Sequence, residues 1–444
     1  MNTAIDFYRQ QFAELSGSLP GGNQSSLQAA RQAAIQVLTK NGFPDRHHED
    51  WRYTNLTALL GHPLRPFVPN RMIPSVEPVL LMEKASAQLV FVDGILDTGH
   101  SVLPEAGSGI TIHVLNDEIL DTEKMGDLVS LSHDHVPDRG DAFDALNAAF
   151  ATSGCLIEVA AGCKLEHPVC ITTLTTEQAD STSCHYRHLV RVGKGSEVDL
   201  VEYFPQGEGT VLNNVVTRID LDQNSRCRHY RIQNENLQSH HISRINVKQA
   251  RDSSYKSFSA ALGSRLGKVD IHVDQNETGC ETIFDGVFVG HKRQYLDHHT
   301  CVEHRHPQGR SDELYRGVLD DAARGVFNGR VVVHAGADKT DASQSNKNLL
   351  LSSRAEMDTK PELEIYADDV KCSHGATVGQ IDEDRLFYLQ SRGIDSETAR
   401  ILLIFAFLED VLVRIELPEL RRKIEPMIIA RLPRSEILKD AALS

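Results

Sequence analysis

At 444 residues the chain is long enough for two to three average domains or for one repeat architecture. Its 40% hydrophobic content falls in regular segments, enough for a large core and contrary to disorder. A formal charge of −16 excludes the basic stripe by which nucleic-acid binders neutralise phosphates, and it disfavours an anionic membrane surface.

The N-terminal segment MNTAIDFYRQQFAEL has neither the basic nor the apolar region of a secretory signal. The eight cysteines are scattered singly, with no C-x-x-C pair, and read as reduced thiols. A cytoplasmic protein is expected. The longest apolar run, Ile401 to Leu408, falls far short of the ~20 residues of a membrane span.

The first 85 residues read as a helical region. Ile5, Tyr8, Phe12 and Leu15 recur at helix spacing, and Ser26 is placed to cap a second helix over Leu27 to Lys40 that ends at Asn41-Gly42. The only Trp lies in Glu49-Asp50-Trp51-Arg52-Tyr53-Thr54 and reads as a packed aromatic anchor.

Residues 86–380 read as one β region, with strands from Leu89 to Val92 onward and one short helix near 141–151. From about Cys155 to Gly375 no helical period appears. Short alternating runs recur every ~10–14 residues, among them His188 to Val192, Glu197 to Tyr203, Val216 to Leu221, Ile242 to Val247, Lys268 to Val273 and Gly325 to His334. A single sandwich or barrel rarely needs so many strands, whereas a solenoid does, because each coil buries its inner face only against its neighbours. The expected fold is therefore mainly β, a right-handed parallel β-helix (solenoid) core with α-helical N- and C-terminal regions. No strict repeat is visible, so the coils must be irregular. Gln344, Asn346 and Asn348 fall on one strand face, as an inward row of amides would.

The tail, 385–444, is helical again. Asp395 or Ser396 caps a helix through Ile415, and Pro418 opens another through Arg431. The first is apolar nearly all round, and such a helix is buried either over its own solenoid or against another protein. Ile401, Leu402, Phe405 and Leu408 are its candidate partner-binding residues.

No P-loop, G-x-G-x-x-G or nucleophile elbow is present, so ATP binding by this chain is not expected. The richest chemistry is Asp368-Asp369-Val370-Lys371-Cys372-Ser373-His374-Gly375. On a strand, Cys372 and His374 project together, as soft-metal ligands or as a nucleophile beside its base. Two ligands do not complete an iron or zinc site, so the rest must come from elsewhere in the fold or from another chain. In the His-rich tract His298-His306, alternation sets Cys301 and Glu303 on one face and His304 and His306 on the other. Asp320-Asp321 suggest paired glycosidase carboxylates, but as adjacent strand residues they point to opposite faces and cannot work together.

Three ordered stretches resemble the SufB/SufD family of iron–sulfur cluster assembly proteins. The first runs Lys339-Thr340-Asp341-Ala342, then Gln344-x-Asn346-x-Asn348-Leu349-Leu350-Leu351-Ser352. The second runs Pro361-x-Leu363-Glu364-Ile365-x-Ala367-Asp368-Asp369-Val370-Lys371-Cys372-Ser373-His374-Gly375-Ala376-Thr377-Val378-Gly379. The third is Leu386-Phe387-Tyr388-Leu389-x-Ser391-Arg392-Gly393-Ile394, and the early Glu49 to Thr54 segment fits as well. The Cys-Ser-His-Gly-Ala-Thr-Val-Gly and Tyr-Leu-x-Ser-Arg-Gly forms are closer to the SufD branch than to SufB.

The resemblance implies a non-catalytic scaffold subunit that pairs with SufB through the β-helix and with the SufC ATPase through the C-terminal helices, or forms a homodimer when alone. It implies no tightly bound cofactor in the isolated chain, a transient Fe–S cluster or iron at the SufB interface, and ATP only on SufC. By motif position, His374 and, more weakly, Cys372 would be interface ligands. Read without the resemblance, two other functions compete. One is a β-helix carbohydrate-active enzyme, disfavoured by 6% aromatics and a single Trp. The other is a stand-alone metal chaperone using the His-rich tract.

Overall fold

The structure is a computed structural model that describes residues 2–433 apart from 21, 23–24, 69–76, 78 and 116–140. Residues 434–444 of the expected C-terminal region therefore lie outside the described residues.

Two ten-stranded sheets face each other to make a parallel β-solenoid of about 8 turns. One sheet runs through β5 (Ser153–Val159), β7 (Thr182–Val192), β9 (Val211–Leu221), β11 (His240–Gln249), β13 (Leu266–Gln275), β15 (Tyr295–His304), β17 (Arg324–Val333) and β19 (Glu356–Ile365). The other runs through β2 (Ala87–Val92), β6 (Val169–Leu174), β8 (Glu197–Phe204), β10 (Arg226–Gln233), β12 (Ser254–Ala261), β14 (Glu281–Gly290), β16 (Arg310–Leu319), β18 (Asp341–Leu350) and β20 (Lys371–Gly379). Three short strands complete the sheets: β1 (Arg65–Pro66) beside β7, β3 (Ile95–Leu96) antiparallel to β2, and β4 (Ile110–Val114) antiparallel to β5.

Each coil alternates one strand from each sheet, and the corners between them decide coil length. The Lys292 N–H reaches Asp321 one coil later, 29 residues on, whereas Arg324 reaches Glu356 32 residues on. This unequal spacing is why no repeat is legible in the sequence. Several corners hold a residue in the left-handed region, including Asn224 (φ 56°), Asp252 (φ 57°) and Asp321 (φ 54°). Asn and Asp adopt that conformation more readily than most residues because their short polar side chains bond locally. Asp320 and Asp321 thus sit at the corner after β16 and not on a strand. The strand stops at Leu319, the Asp321 N–H donates to Asp320 Oδ1, and Asp321 Oδ2 accepts from Lys292 N.

The interior is apolar along most of its length, with small residues where large ones cross. A Cβ on Gly286 would lie 2.2 Å from the Tyr315 ring, and one on Gly317 would lie 2.2 Å from Phe288. Some of the polar groups inside are paired across coils. Cys155 Sγ is 3.2 Å from His188 Nδ1, and His229 links Tyr255 OH (2.9 Å) to Glu202 (3.0 Å). Burial works against a charged Glu202, but the His229 hydrogen bond overcomes it and holds the carboxyl at about 2.

Helices cover part of the outside. α1 (Asn2–Leu15), α2 (Ser25–Asn41), α3 (Thr57–Gly61) and α4 (Ala142–Phe150) form one apolar cluster with Leu212, Ile242 and Leu266 at the beginnings of first-sheet strands. Trp51 is the anchor its sequence suggested. It stacks on Phe143 at 5.3 Å, and Lys268 Nζ lies 4.8 Å over its ring. Lys268 pairs with buried Asp297 (3.0 Å), which also accepts from Thr54 Oγ1. At the other end of the chain, α5 (Glu383–Ser391), α6 (Ser396–Leu412) and α7 (Pro418–Ile429) follow β20. α5 and α6 are capped by Asp382 and Asp395, each accepting two backbone N–H groups of the first turn.

Candidate functional site

β19 and β20 are the outermost strands of the two sheets, so among the described residues the last coil has no successor. Register places Cys372 opposite Ala342, His374 opposite Gln344, Ala376 opposite Asn346 and Val378 opposite Asn348. The β18 partners are all buried, so Cys372 and His374 continue the interior rows of the solenoid at the end where no further described strand stacks on them. One such row runs from Phe284 through Glu313 and Gln344 to His374. The expectation that the two side chains project together is met by this geometry. They project into the open mouth of the coil, with His374 exposed and Cys372 half-buried among Val331, Val333, Ala342 and Leu363.

Burial, with Asp341 nearby, pushes the Cys372 thiol up, so it stays protonated near neutral pH. Behind His374, burial raises the Glu313 carboxyl to about 8 against the hydrogen bond from Thr300. Among the described residues, no third His, Cys, Asp or Glu donor closes on the Cys372–His374 pair. The last coil exposes Ile365, Tyr366 and Val378 alongside charged residues such as Asp368, Asp369 and Lys371. The Gln344, Asn346 and Asn348 row faces inward as expected. Asn346 and Asn348 bond each other, and Asn348 Nδ2 donates to Thr377 O of the last strand (3.1 Å).

α6 does not offer the four candidate contact residues equally. Ile401 and Leu408 are buried, and α6 lays Ile404, Leu408 and Val411 in one cluster with Val201, Tyr230, Phe258 and Val287 of the second sheet. In this chain Leu408 is taken up where the helix covers a face of its own solenoid. Phe405 is partly buried there, and Leu402 is exposed. Ion pairs fasten the segment after α6, Arg414 to Asp285 and Asp312 and Glu416 to Arg228 and Lys256. The residues that sequence reading missed are Phe387 and Tyr388 of α5, 71% and 60% exposed, together with Val413. Their signal was adjacent large aromatics on a short, weakly amphipathic helix, which no core accounts for.

The His-rich tract divides more finely than alternation alone suggested. His298 packs inside between Phe288 and Tyr315, and His304 bonds Ser311 inside. His306 lies past the end of β15 and is exposed, so it does not face His304. Cys301 and Glu303 face outward together, and His272 of the preceding coil joins them, all three donor atoms within 4.8 Å of one another.

The chain is thus a parallel β-solenoid with antiparallel strands at its first end, a parallel edge at its last, and helices at both chain ends. Residues 173–407 match the family model for the SUF system FeS cluster assembly SufBD core domain, and residues 2–75 match the SufBD protein N-terminal region. The chain belongs to the SufBD family of iron–sulfur cluster assembly proteins. It is similar to the iron–sulfur cluster assembly protein SufD of Escherichia coli, 32% identical over 93% of this chain and 94% of that one. It is also similar to an iron–sulfur cluster assembly SufBD family protein of Synechocystis, 31% identical over 97% and 96% of the two chains. Protein ABCI7, chloroplastic, of Arabidopsis thaliana is 31% identical over 94% and 88%. No described helix is long and apolar enough to cross a membrane.

Proposed function

We propose that this chain is a non-catalytic, SufD-like scaffold subunit acting in the cytoplasm. Its open last coil pairs with SufB and presents His374, with Cys372 beside it, to iron or a nascent cluster. The observation that carries this reading is the placement of the two side chains at the uncovered end of the interior rows. An exposed parallel edge is a template for another strand. Two ligands with no third described donor are a half-site that a second chain can complete. In the absence of SufB the same edge is free to pair with a second copy of this chain.

The exposed aromatics of α5 and Leu402 of α6 support a second contact, with the SufC ATPase, which would carry the ATP. Ile401 and Leu408 then act indirectly, by holding α6 in place.

The test is anaerobic co-expression with SufB and SufC. His374→Ala should leave the complex assembled and lower its cluster yield. Phe387→Glu/Tyr388→Glu should lose SufC from this subunit while keeping SufB. Normal cluster yield in the His374→Ala complex would sink the ligand assignment, and elution of the chain alone in every combination would sink the scaffold reading.

A further inference from the structure

We propose that His272, Cys301 and Glu303 form a separate site for one thiophilic divalent cation, such as zinc or ferrous iron, on the outer face of the first sheet. Two strand rules bring the donors together. His272 and Cys301 are register partners on β13 and β15, and neighbouring strands lie ~4.8 Å apart. Cys301 and Glu303 are two residues apart on β15 and so share its outer face. The donor atoms lie within 4.8 Å of one another. Ligand atoms around a tetrahedral ion are about 3.3–3.8 Å apart, so rotamer adjustments of roughly 1 Å close the triangle.

A fourth donor is adjacent: His334 Nε2 is 2.6 Å from Glu303 Oε2. Asp274 lies 3.6 Å from His272 Nε2, which also faces Glu303 Oε1 at 3.9 Å. The set of thiolate, imidazole and carboxylate selects zinc or ferrous iron over magnesium or calcium, which take oxygen ligands. Arg305 pairs with Glu303 (3.0 Å) and Asp274 (2.7 Å), and Arg330 interacts with Cys301. Both side chains are partly exposed, 40% and 39%, and a cation would have to displace them from these contacts.

Access is set by where the N-terminal cover ends. On the same strand, Asp297 is buried under the Trp51 segment, while Glu303 and His272 remain partly open to solvent. The site lies on β15, in the opposite sheet from Cys372 and His374, and it does not depend on pairing with SufB.

The experiment is a Co²⁺ titration of the full chain, stripped with chelator and kept anaerobic, read by thiolate-to-cobalt charge-transfer absorption. One equivalent should bind with a thiolate band. The band should persist in Cys372→Ser/His374→Ala, vanish in Cys301→Ser, and require about 10-fold or more added Co²⁺ in Glu303→Gln. Unchanged circular dichroism in each variant separates ligand loss from misfolding, and Glu303→Gln reads the site if Cys301→Ser fails to fold. Absence of any thiolate band in the wild type overturns the proposal. So does a band that survives Cys301→Ser and disappears in Cys372→Ser/His374→Ala.

Discussion

The two ends of the solenoid are finished in opposite ways. At the first end β4 lies antiparallel on β5 and β3 antiparallel on β2, and α4 seals the outside by pairing Asp144 with Arg187 at 2.8 Å, both buried. At the last end β19 and β20 keep the parallel pattern of every internal coil but, among the described residues, have no further strand beyond them, and Ile365, Tyr366 and Val378 are left exposed. An antiparallel strand closes a parallel edge against further coils, whereas a bare parallel edge invites one. The chain thus spends its irregular elements where growth must stop and leaves its regular ones where a partner can continue them.

The largest effect should come from opening the closed end. Asp144→Ala removes the buried carboxylate that pairs with the Arg187 guanidinium, which also donates to Asn147 Oδ1 (3.1 Å). It should cost about 3–5 kcal/mol in urea unfolding. A loss under about 1 kcal/mol would mean that α4 does not hold this end. An apolar truncation inside the first coils comes next: Ile157→Ala, fully buried, should cost about 2–5 kcal/mol.

Glu313 lies two strands behind the open mouth and gives an intermediate, pH-dependent effect. Its folded pKa of about 8 is above the ordinary value of 4.5, so the folded state holds the proton more tightly. Its contribution is fully present below about pH 4.5 and is lost as pH rises toward 8. Glu313→Gln should therefore gain on the order of 1 kcal/mol or more relative to wild type at pH 8, with a smaller difference at pH 5. A difference that does not change with pH would show that the carboxyl is already ionised. The smallest effect should be at the rim: Val378→Ala in the isolated chain should change stability by less than about 0.5 kcal/mol. If it cost as much as Ile157→Ala, the two ends would not differ in the way described.

How much of this was legible beforehand depends on how local the cause is. Alternation along single strands was enough to place Cys372 with His374, Cys301 with Glu303, and Gln344 with Asn346 and Asn348. Helix capping at Asp395 and Pro418, and the packed role of Trp51, were equally readable, since each is decided within a few residues. The sequence could not place His272 beside Cys301, because that depends on register between coils whose corners differ in length. It read Asp320 and Asp321 as strand residues because a corner begins where hydrogen-bond pairing stops, which composition does not mark. It left Ile401 and Leu408 as candidate contacts because an apolar helix records only that it must be covered. The tertiary structure supplied the cover, its own second sheet, and in doing so moved the open surface to α5 and the last coil. Periodicity determines which side chains share a face; only the stacking of coils decides which faces meet and which are left for something else.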